Sequence, residues 1–323
     1  MVKFIPVQCQ DHKYPSNSQI QERSANFFNF FEHQRDLQKT DCHYLSLHTD
    51  HCYRGPKKIF IASQLPNEFP SLSENVSISP YKCMSKLWLN EAWSKEFARF
   101  ILRFTEGIDP KWIKIIEIHP PFDMYCNSLK NFIERYAIFE EEVSKKFPTA
   151  TICIENRYNN RNTKRYGNFI LSTNEDIINL EKLISDNHLK LTFVVDVPQL
   201  FSEHYDDKLI SEEWMIEEVL TPLKKIRDSI SGTHIWGKTT TKGLNGAIKN
   251  GVHNADLTAY FKNEKVKSCF LREICKLFDD DKPRHFLPEV FSKNDEMSAK
   301  DSIESIVNDF NKEECVEFVN LHG

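Results

Sequence analysis

Short apolar runs alternate along the chain with longer amphipathic stretches. The short runs have the length and composition of buried β-strands; they are residues 3–9, 43–48, 75–79, 113–119, 151–155, 189–196, 233–236 and 285–290. The longer stretches have the apolar spacing of helices that bury one face; they are residues 18–34, 90–104, 128–147, 174–187, 211–229, 254–278 and 298–311. Strands and helices are therefore expected in alternation.

This alternation predicts an α/β fold with a parallel sheet. Eight strand positions separated by helices are most economically accommodated, in a chain of 323 residues, by a closed (β/α)₈ TIM barrel in a single domain. Residues 59–64 also have a strand pattern, either as a hairpin insertion or in place of one of the first two strands. We therefore expect an irregular N-terminal quarter over 1–74, a well-defined barrel over 75–311 and a tail over 312–323.

Composition narrows the classes of function. The formal net charge of −5 provides no global positive field for nucleic acid, so any polyanion site must be local. The chain contains neither G-x-G-x-x-G nor G-x-x-x-x-G-K-[ST], which removes the main support for dinucleotide or P-loop sites. No apolar run reaches the length of a membrane span. Nine scattered cysteines without a C-x-x-C pair indicate reduced thiols, and hence a cytoplasmic protein.

Five consecutive predicted strands carry a metal-ligating side chain at or near their carboxyl ends: His119, Glu155, Asp196, His234 and Glu289. In a parallel barrel these ends meet at one rim, where the active sites of such barrels form. Carboxylates together with imidazoles bind a divalent ion and leave a coordination position open for water or a substrate oxygen. The pattern therefore predicts a metal or acid–base site.

Each of these residues also has a structural explanation. A buried carboxylate is costly without compensation, and Arg157 could compensate Glu155 by forming an ion pair. A turn containing Pro198 could use Asp196 as a cap. Five ligands in matching positions favour the functional interpretation over five separate structural ones.

The order of the strand-end motifs resembles the xylose-isomerase-like TIM barrels, a superfamily of endonuclease IV type apurinic nucleases and of sugar isomerases and epimerases. The resemblance covers residues 75–310. It is carried by Ile78-Ser79-Pro80-Tyr81 for the third strand, Ile118-His119-Pro120 for the fourth, Glu155-Asn156 for the fifth, Asp196-Val197-Pro198-Gln199 for the sixth, His234 for the seventh and Glu289-Val290 for the eighth.

The resemblance implies a central ion held by Glu155, Asp196, His234 and Glu289. The nuclease branch holds two further ions, and here the sequence departs from its pattern, because Ser79 and Gln199 stand where histidines are expected. His119 is retained. His253, with Asp256 nearby, could supply a remaining outer ligand. We therefore expect one or two ions, with zinc or manganese preferred and magnesium or iron as further candidates.

Phosphodiester hydrolysis of nucleic acid is the favoured reaction at this stage. Cations follow the fifth and seventh strands and could hold phosphates: Arg157, Arg161, Lys164, Arg165 and Lys238. Gln199 is also expected to contact substrate. Metals and cations would stabilise the charge that develops on the phosphate oxygens.

Isomerisation or epimerisation of a sugar or sugar phosphate is the alternative. A single ion would polarise adjacent oxygens, and Glu155 and Glu289 would exchange protons with the substrate carbon. The basic segment could equally bind a sugar phosphate. A binding module with a decayed site is a third possibility, which the intact quartet opposes; the oligomeric state is left open.

Several further ligand types have weaker patterns. Cys42, His43, His48, His51 and Cys52 crowd together, but their spacing matches no standard zinc finger. His48, at a strand end, could instead face the mouth of the barrel. On predicted loops, Asp123 and Tyr125 could contact substrate, and His204 is an alternative ligand.

Overall fold

The computed structural model describes residues 1–9, 14–27, 30–40, 42–51, 54–56, 68–79, 82–159, 167–204, 212–242, 248–259, 261, 263–290 and 296–321. For a few of these, among them residues 75–79, 82–84, 204 and 238–242, the backbone alone is described. Within these ranges, no helix is both long enough and apolar enough to span a bilayer.

Fourteen strands lie in the described ranges: β1 (Val2–Gln8), β2 (Ile20–Ala25), β3 (Tyr44–Thr49), β4 (Arg54–Pro56), β5 (Asn75–Ser79), β6 (Lys82–Ser85), β7 (Ile113–Ile118), β8 (Thr151–Glu155), β9 (Thr192–Asp196), β10 (Ile230–Ile235), β11 (Gly237–Lys242), β12 (Ile248–Ala255), β13 (Arg284–Pro288) and β14 (Val316–Phe318). The main sheet has the order β13-β10-β9-β8-β7-β3-β2-β1, and β13 also pairs with β1. Eight parallel strands therefore close a barrel, which confirms the predicted (β/α)₈ fold. The predicted boundaries at 74/75 and 311/312 stay predictions.

The helices are α1 (Phe30–Leu37), α2 (Glu91–Phe104), α3 (Leu129–Lys146), α4 (Asn174–Asp186), α5 (Val197–His204), α6 (Glu212–Trp214), α7 (Thr221–Leu223), α8 (Glu264–Leu277) and α9 (Glu296–Lys312). Between α6 and α7 the chain is π-helical over Met215–Leu220, and Lys224–Ser229 is a 3₁₀-helix. Local capping fixes several starts. At α4, for example, Thr173 and Asp176 form a reciprocal capping box.

Two predicted helices are wrong in part. Residues 20–25 form β2 rather than the start of a helix over 18–34, and its Gln21 and Glu22 are buried. Residues 254–255 end β12, and the helix predicted over 254–278 begins only at Glu264, where Asn263 supplies the N-cap.

The prediction of residues 75–79 as a barrel strand is wrong. β5 pairs antiparallel with β6, which also pairs with β4, in a small separate sheet inserted after β3. The third barrel strand is therefore β3 and not β5. Residues 59–64, the other candidate, lie outside the described residues.

The short strand β14 lies within the segment predicted as a tail. β1 pairs with β14 at residues 2–4 and with β2 at Val7 and Gln8. A disulfide joins Cys275 on α8 to Cys315, just before β14, so the prediction that all cysteines are reduced is wrong for this pair.

The described chain groups into two compact units, residues 22–193 and residues 1–21 with 194–323. An aromatic cluster forms much of the core of the first unit, where Trp88 and four ring positions of α2 are buried: Trp93, Phe97, Phe100 and Phe104. Their helical spacing already predicts one buried face. In the second unit Phe4 packs against Phe278, Phe286, Phe310 and Phe318.

Candidate functional site

Within residues 22–193, adjacent parallel strands bring four potential metal ligands together. His48 of β3 is in register with Glu117 of β7, His119 follows β7, and Glu155 ends the neighbouring β8. One ligand atom from each lies within 4.8 Å of the others, and all four side chains are buried. We call these four residues the Glu155 group.

His119 and Glu155 have the closest contact in this group. Nε2 of His119 lies 2.8 Å from Oε2 of Glu155, yet neither ring nitrogen of His119 makes a hydrogen bond within the part of the chain that the structure describes. Buried polar atoms without hydrogen bonds are costly and call for an explanation. A bound divalent ion would satisfy both atoms, because an imidazole nitrogen and a carboxylate oxygen are common metal ligands.

Charged and aromatic neighbours surround the Glu155 group. Nη1 of Arg157 lies 3.1 Å from Oε2 of Glu155, with its side chain largely buried. The ring centroids of His51 and His119 are 5.6 Å apart. Burial, followed by the positive charge of Arg157, holds the pKa of His51 well below its usual range. His51 is therefore neutral at pH 7, and a neutral imidazole is the form that can ligate a metal.

Three further ligands converge in the unit formed by residues 1–21 and 194–323. Asp196 ends β9, His234 lies on β10, and Glu289 directly follows β13. One ligand atom from each of the three lies within 4.8 Å of the others. Register positions them, because His234 pairs with Leu287 and the backbone N–H of Glu289 donates to the carbonyl of Ile235. We call these three residues the Asp196 group.

Two imidazoles lie beside Glu289. Its Oε2 is 3.3 Å from Nδ1 of His234 and 3.1 Å from Nδ1 of His253. Burial by itself raises the pKa of Glu289, but the imidazoles of His253 and His234 outweigh burial and hold this pKa well below its usual value. Glu289 is therefore ionised at neutral pH. His253 has φ of 54°, an unusual left-handed backbone for a non-glycine residue.

Asp196 is fully buried and held by neighbouring N–H groups. The backbone N–H of Gln199 donates to its Oδ1, so the expected cap at the start of α5 is present. The side chain of Gln199 and the indole of Trp236 also donate to this carboxylate. Gln199, expected to contact substrate, is itself fully buried against Asp196, so its contact with substrate stays a prediction.

Asp256 and Ser79 are not among the ligands of these two groups. Asp256 accepts hydrogen bonds from Thr258 and from the hydroxyl of Ser305. Ser79 lies on β5 of the inserted sheet, so it does not end a barrel strand. Arg161, Lys164 and Arg165 and the side chains of Lys238 and His204 lie outside the described residues.

Sequence reasoning gave His48 no fixed role. The signal was present, because Leu45 and Leu47 alternate with Ser46 and His48 on β3. The antiparallel hairpin strand 75–79 was assigned to the third barrel position in its place. Of the proposed zinc cluster, His48 and His51 lie at the Glu155 group, whereas His43 lies beside Tyr44 and Trp112.

No protein-family model matches the chain, and no curated protein matches it. Among solved structures, a xylose isomerase-like TIM barrel protein from Mycobacterium smegmatis in complex with magnesium has 10% identity, covers 92% of this chain and 85% of its own, and has a TM-score of 0.48. A xylose isomerase domain protein from Planctomyces limnophilus has 10% identity, covers 97% of this chain and 98% of its own, and has a TM-score of 0.48. Xylose isomerase-like TIM barrel proteins are thus among its structural neighbours. A glycoside hydrolase has 10% identity, 97% and 99% coverage and a TM-score of 0.50. At this identity, the likeness shows the fold alone.

Proposed function

We propose that this chain is a divalent-metal-dependent enzyme that isomerises or epimerises a sugar or sugar phosphate. The observation that carries the metal site is the Asp196 group, in which three buried side chains offer ligand atoms within 4.8 Å of one another. Oε2 of Glu289 lies 3.1 Å from Nδ1 of His253 and 3.3 Å from Nδ1 of His234, so one carboxylate oxygen and two imidazole nitrogens lie close together. An ionised, buried carboxylate oxygen of this kind fits a metal ligand.

Glu155 completes the proposed ligand set as its fourth member. It ends β8, as Asp196 ends β9, and the resemblance to the xylose-isomerase-like barrels implies that it ligates the same ion. Three carboxylates and one imidazole suit manganese or zinc, and also accommodate magnesium or iron. When bound, the ion would polarise adjacent substrate oxygens.

The protein's own groups would bind the substrate and move the proton. Glu289, ionised at neutral pH, and Glu155 are the proposed bases that remove a proton from the substrate carbon and return it. Arg157 next to Glu155 provides a cation for a substrate oxyanion or phosphate. Arg161, Lys164, Arg165 and Lys238 are proposed as further contacts to that phosphate.

The residues at the positions where the nuclease branch holds its two further ions favour isomerisation over nuclease chemistry. A three-ion nuclease needs ligands where this chain has Ser79 and Gln199. Gln199 is committed to Asp196 and Asp256 to Thr258 and Ser305, while Ser79 lies on the inserted sheet. These contacts, and the position of β5 outside the barrel sheet, argue against a third ion.

Hydrolysis of a phosphodiester in nucleic acid is the second candidate. The specific observation in its favour is the Glu155 group, where His48, Glu117 and His119 offer ligands for a second ion next to Glu155. Two neighbouring ions can stabilise both the attacking and the leaving oxygen of a phosphodiester. His253, beside Glu289, is proposed as an additional ligand or proton carrier.

The experiment compares wild type with Glu155→Gln and Glu289→Gln on ketoses, sugar phosphates, abasic DNA and single-stranded DNA. With Mn²⁺, wild type should interconvert a ketose or its phosphate, and each variant should lose about 10²–10⁴-fold in kcat, the range for removing a general acid or base. The matched control is Glu140→Gln, a buried carboxylate that accepts the backbone N–H of Lys190 and should leave activity unchanged. Full activity in both site variants would overturn the proposal.

Ion stoichiometry separates the two candidates. Elemental analysis should give one tightly held ion per chain for the isomerase, and His48→Ala should then leave this count unchanged. The hydrolase would instead be supported if wild type holds two ions per chain and His48→Ala loses both one ion and the cleavage of DNA.

A further inference from the structure

Three N–H donors hold the carboxylate of Asp196. The indole Nε1 of Trp236 lies 3.0 Å from Oδ1 and 2.9 Å from Oδ2. The backbone N of Gln199 lies 2.9 Å from Oδ1, and its side-chain Nε2 lies 2.7 Å from Oδ2. All three residues are completely buried.

We infer that Trp236 and Gln199 are positioning residues that present Asp196 to the ion through one oxygen, and so determine the affinity and choice of the metal. The inference rests on the proposed function, because it assumes that Asp196 is a metal ligand. Neither Trp236 nor the side chain of Gln199 needs to touch substrate for this role.

The number of lone pairs limits what Asp196 can still bind. An ionised carboxylate has about four lone-pair sites. Each oxygen of Asp196 is contacted by two of the N–H groups named above, because the indole N–H is shared between Oδ1 and Oδ2. Chelation of an ion by both oxygens would have to displace these donors. Binding through one oxygen suits the compact coordination of zinc or manganese, whereas calcium takes six to eight oxygens and often uses carboxylates bidentately.

A helix cap alone does not explain this arrangement. Capping of α5 needs only the backbone N–H of Gln199 on Asp196. The side-chain amide and the indole are additional donors, and the indole is itself held in place, since its ring centroid lies 4.1 Å from that of His253. Groups that orient a metal ligand in this way commonly change metal affinity by 10- to 100-fold when removed.

The test is a titration of wild type, Trp236→Phe and Gln199→Met with Mn²⁺. The free Mn²⁺ is measured by its electron paramagnetic resonance signal. Phe keeps a ring at position 236 and removes the N–H; Met keeps the length of residue 199 and the backbone cap. Each variant should bind Mn²⁺ about 10- to 100-fold more weakly. The double variant should lose less than the product of the two, because both donors act on one carboxylate.

Calcium competition supplies the second readout. The variants should discriminate less between the two ions. The ratio of the Ca²⁺ dissociation constant to the Mn²⁺ dissociation constant should therefore be smaller in each variant than in wild type. A general loss of packing would weaken both ions alike. The matched control is Trp93→Phe, equally buried within the α2 core, whose Mn²⁺ affinity should equal that of wild type.

The outcomes are distinguishable. Wild type that binds no Mn²⁺ would overturn the proposed metal enzyme itself. If wild type binds Mn²⁺, and the folded variants bind it equally tightly and discriminate equally well against Ca²⁺, only the positioning role is overturned. If Trp236→Phe lacks the circular dichroism of the folded protein, Gln199→Met decides.

Discussion

The guanidinium of Arg284 lies buried at the first position of β13. Its Nη1 and Nη2 each lie 2.6 Å from an oxygen of Asp280, and its Nε donates to the carbonyl of Ile230. The hydrogen bonds from Arg284 hold the pKa of Asp280 below its ordinary value of 3.8. This pair anchors the start of a barrel strand at the end remote from Glu289.

Asp280→Asn is expected to lower the free energy of unfolding by about 3 kcal/mol at pH 7, because it leaves a buried cation without its carboxylate. A carboxylate with a lowered folded-state pKa stabilises the protein above pH 3.8, and this contribution is lost as the pH falls through the folded-state pKa. The difference between wild type and variant should therefore shrink as the pH falls below 3.8 toward the folded-state pKa. Urea unfolding at pH 7 and pH 3 measures the difference.

The neighbouring Asp281→Asn is the matched control. Its side chain is exposed, and its φ of 59° is a backbone conformation that Asn tolerates. It should change stability little at either pH. An Asp280→Asn effect of equal size at both values of pH would contradict the assignment to the ion pair.

At the scale of elements, β14 is held to the barrel in two ways. It pairs with β1, and the Cys275–Cys315 disulfide ties the residue before it to α8. Phe318 adds apolar contacts, since its ring packs near Phe4 and Phe286. The segment predicted as a tail thus contributes to the packing of the second unit.

Cys315→Ser is expected to lower the free energy of unfolding by about 4 kcal/mol under non-reducing conditions, the value for a closed loop of this length. Dithiothreitol should remove the difference from wild type. Cys269→Ser, on the same helix but with a free buried thiol, is the control and should not respond to dithiothreitol in this way. Alkylation of Cys275 and Cys315 in unreduced wild type, detected by peptide mass, would contradict the disulfide.

The strand β2 shows why some elements escaped prediction. Its sequence Ile20-Gln-Glu-Arg-Ser-Ala lacks an apolar run, because the buried positions 21 and 22 hold Gln and Glu instead of an aliphatic pair. Glu22 and His48 offer ligand atoms within 4.8 Å of each other. Polar side chains gathered at a site remove the apolar pattern on which strand prediction depends.

At the scale of the whole molecule, metal binding should be coupled to stability. A ligand that binds only the folded state stabilises it by about 2.7 kcal/mol at 100 times its dissociation constant. Mn²⁺ should therefore raise the melting temperature of wild type, and a chelator should reverse the shift. Differential scanning fluorimetry measures both.

His234→Ala should abolish this thermal shift, because it removes the imidazole of the Asp196 group. His188→Asn is the control: His188 is exposed and has φ of 55°, which Asn accommodates, so its Mn²⁺ shift should match that of wild type. An undiminished shift in His234→Ala would locate the ion elsewhere.

The sequence by itself determined much of the alternation of strands and helices and the residues at or near the carboxyl ends of β7, β8, β9, β10 and β13. Apolar periodicity and a histidine or carboxylate near each carboxyl end are local properties, so His119, Glu155, Asp196, His234 and Glu289 could be named in advance. The closed parallel sheet follows from the same alternation.

Only the tertiary structure decided which strand fills the third barrel position and what surrounds each ligand. Pairing of β3 with β7 brings His48 to Glu117, and the segment 75–79 goes to an antiparallel sheet because its partner is β6. The indole N–H of Trp236 reaches Asp196 across 40 residues of sequence. Strand register and long-range hydrogen bonds depend on contacts that form only in the folded chain. No local pattern of residues therefore predicts them.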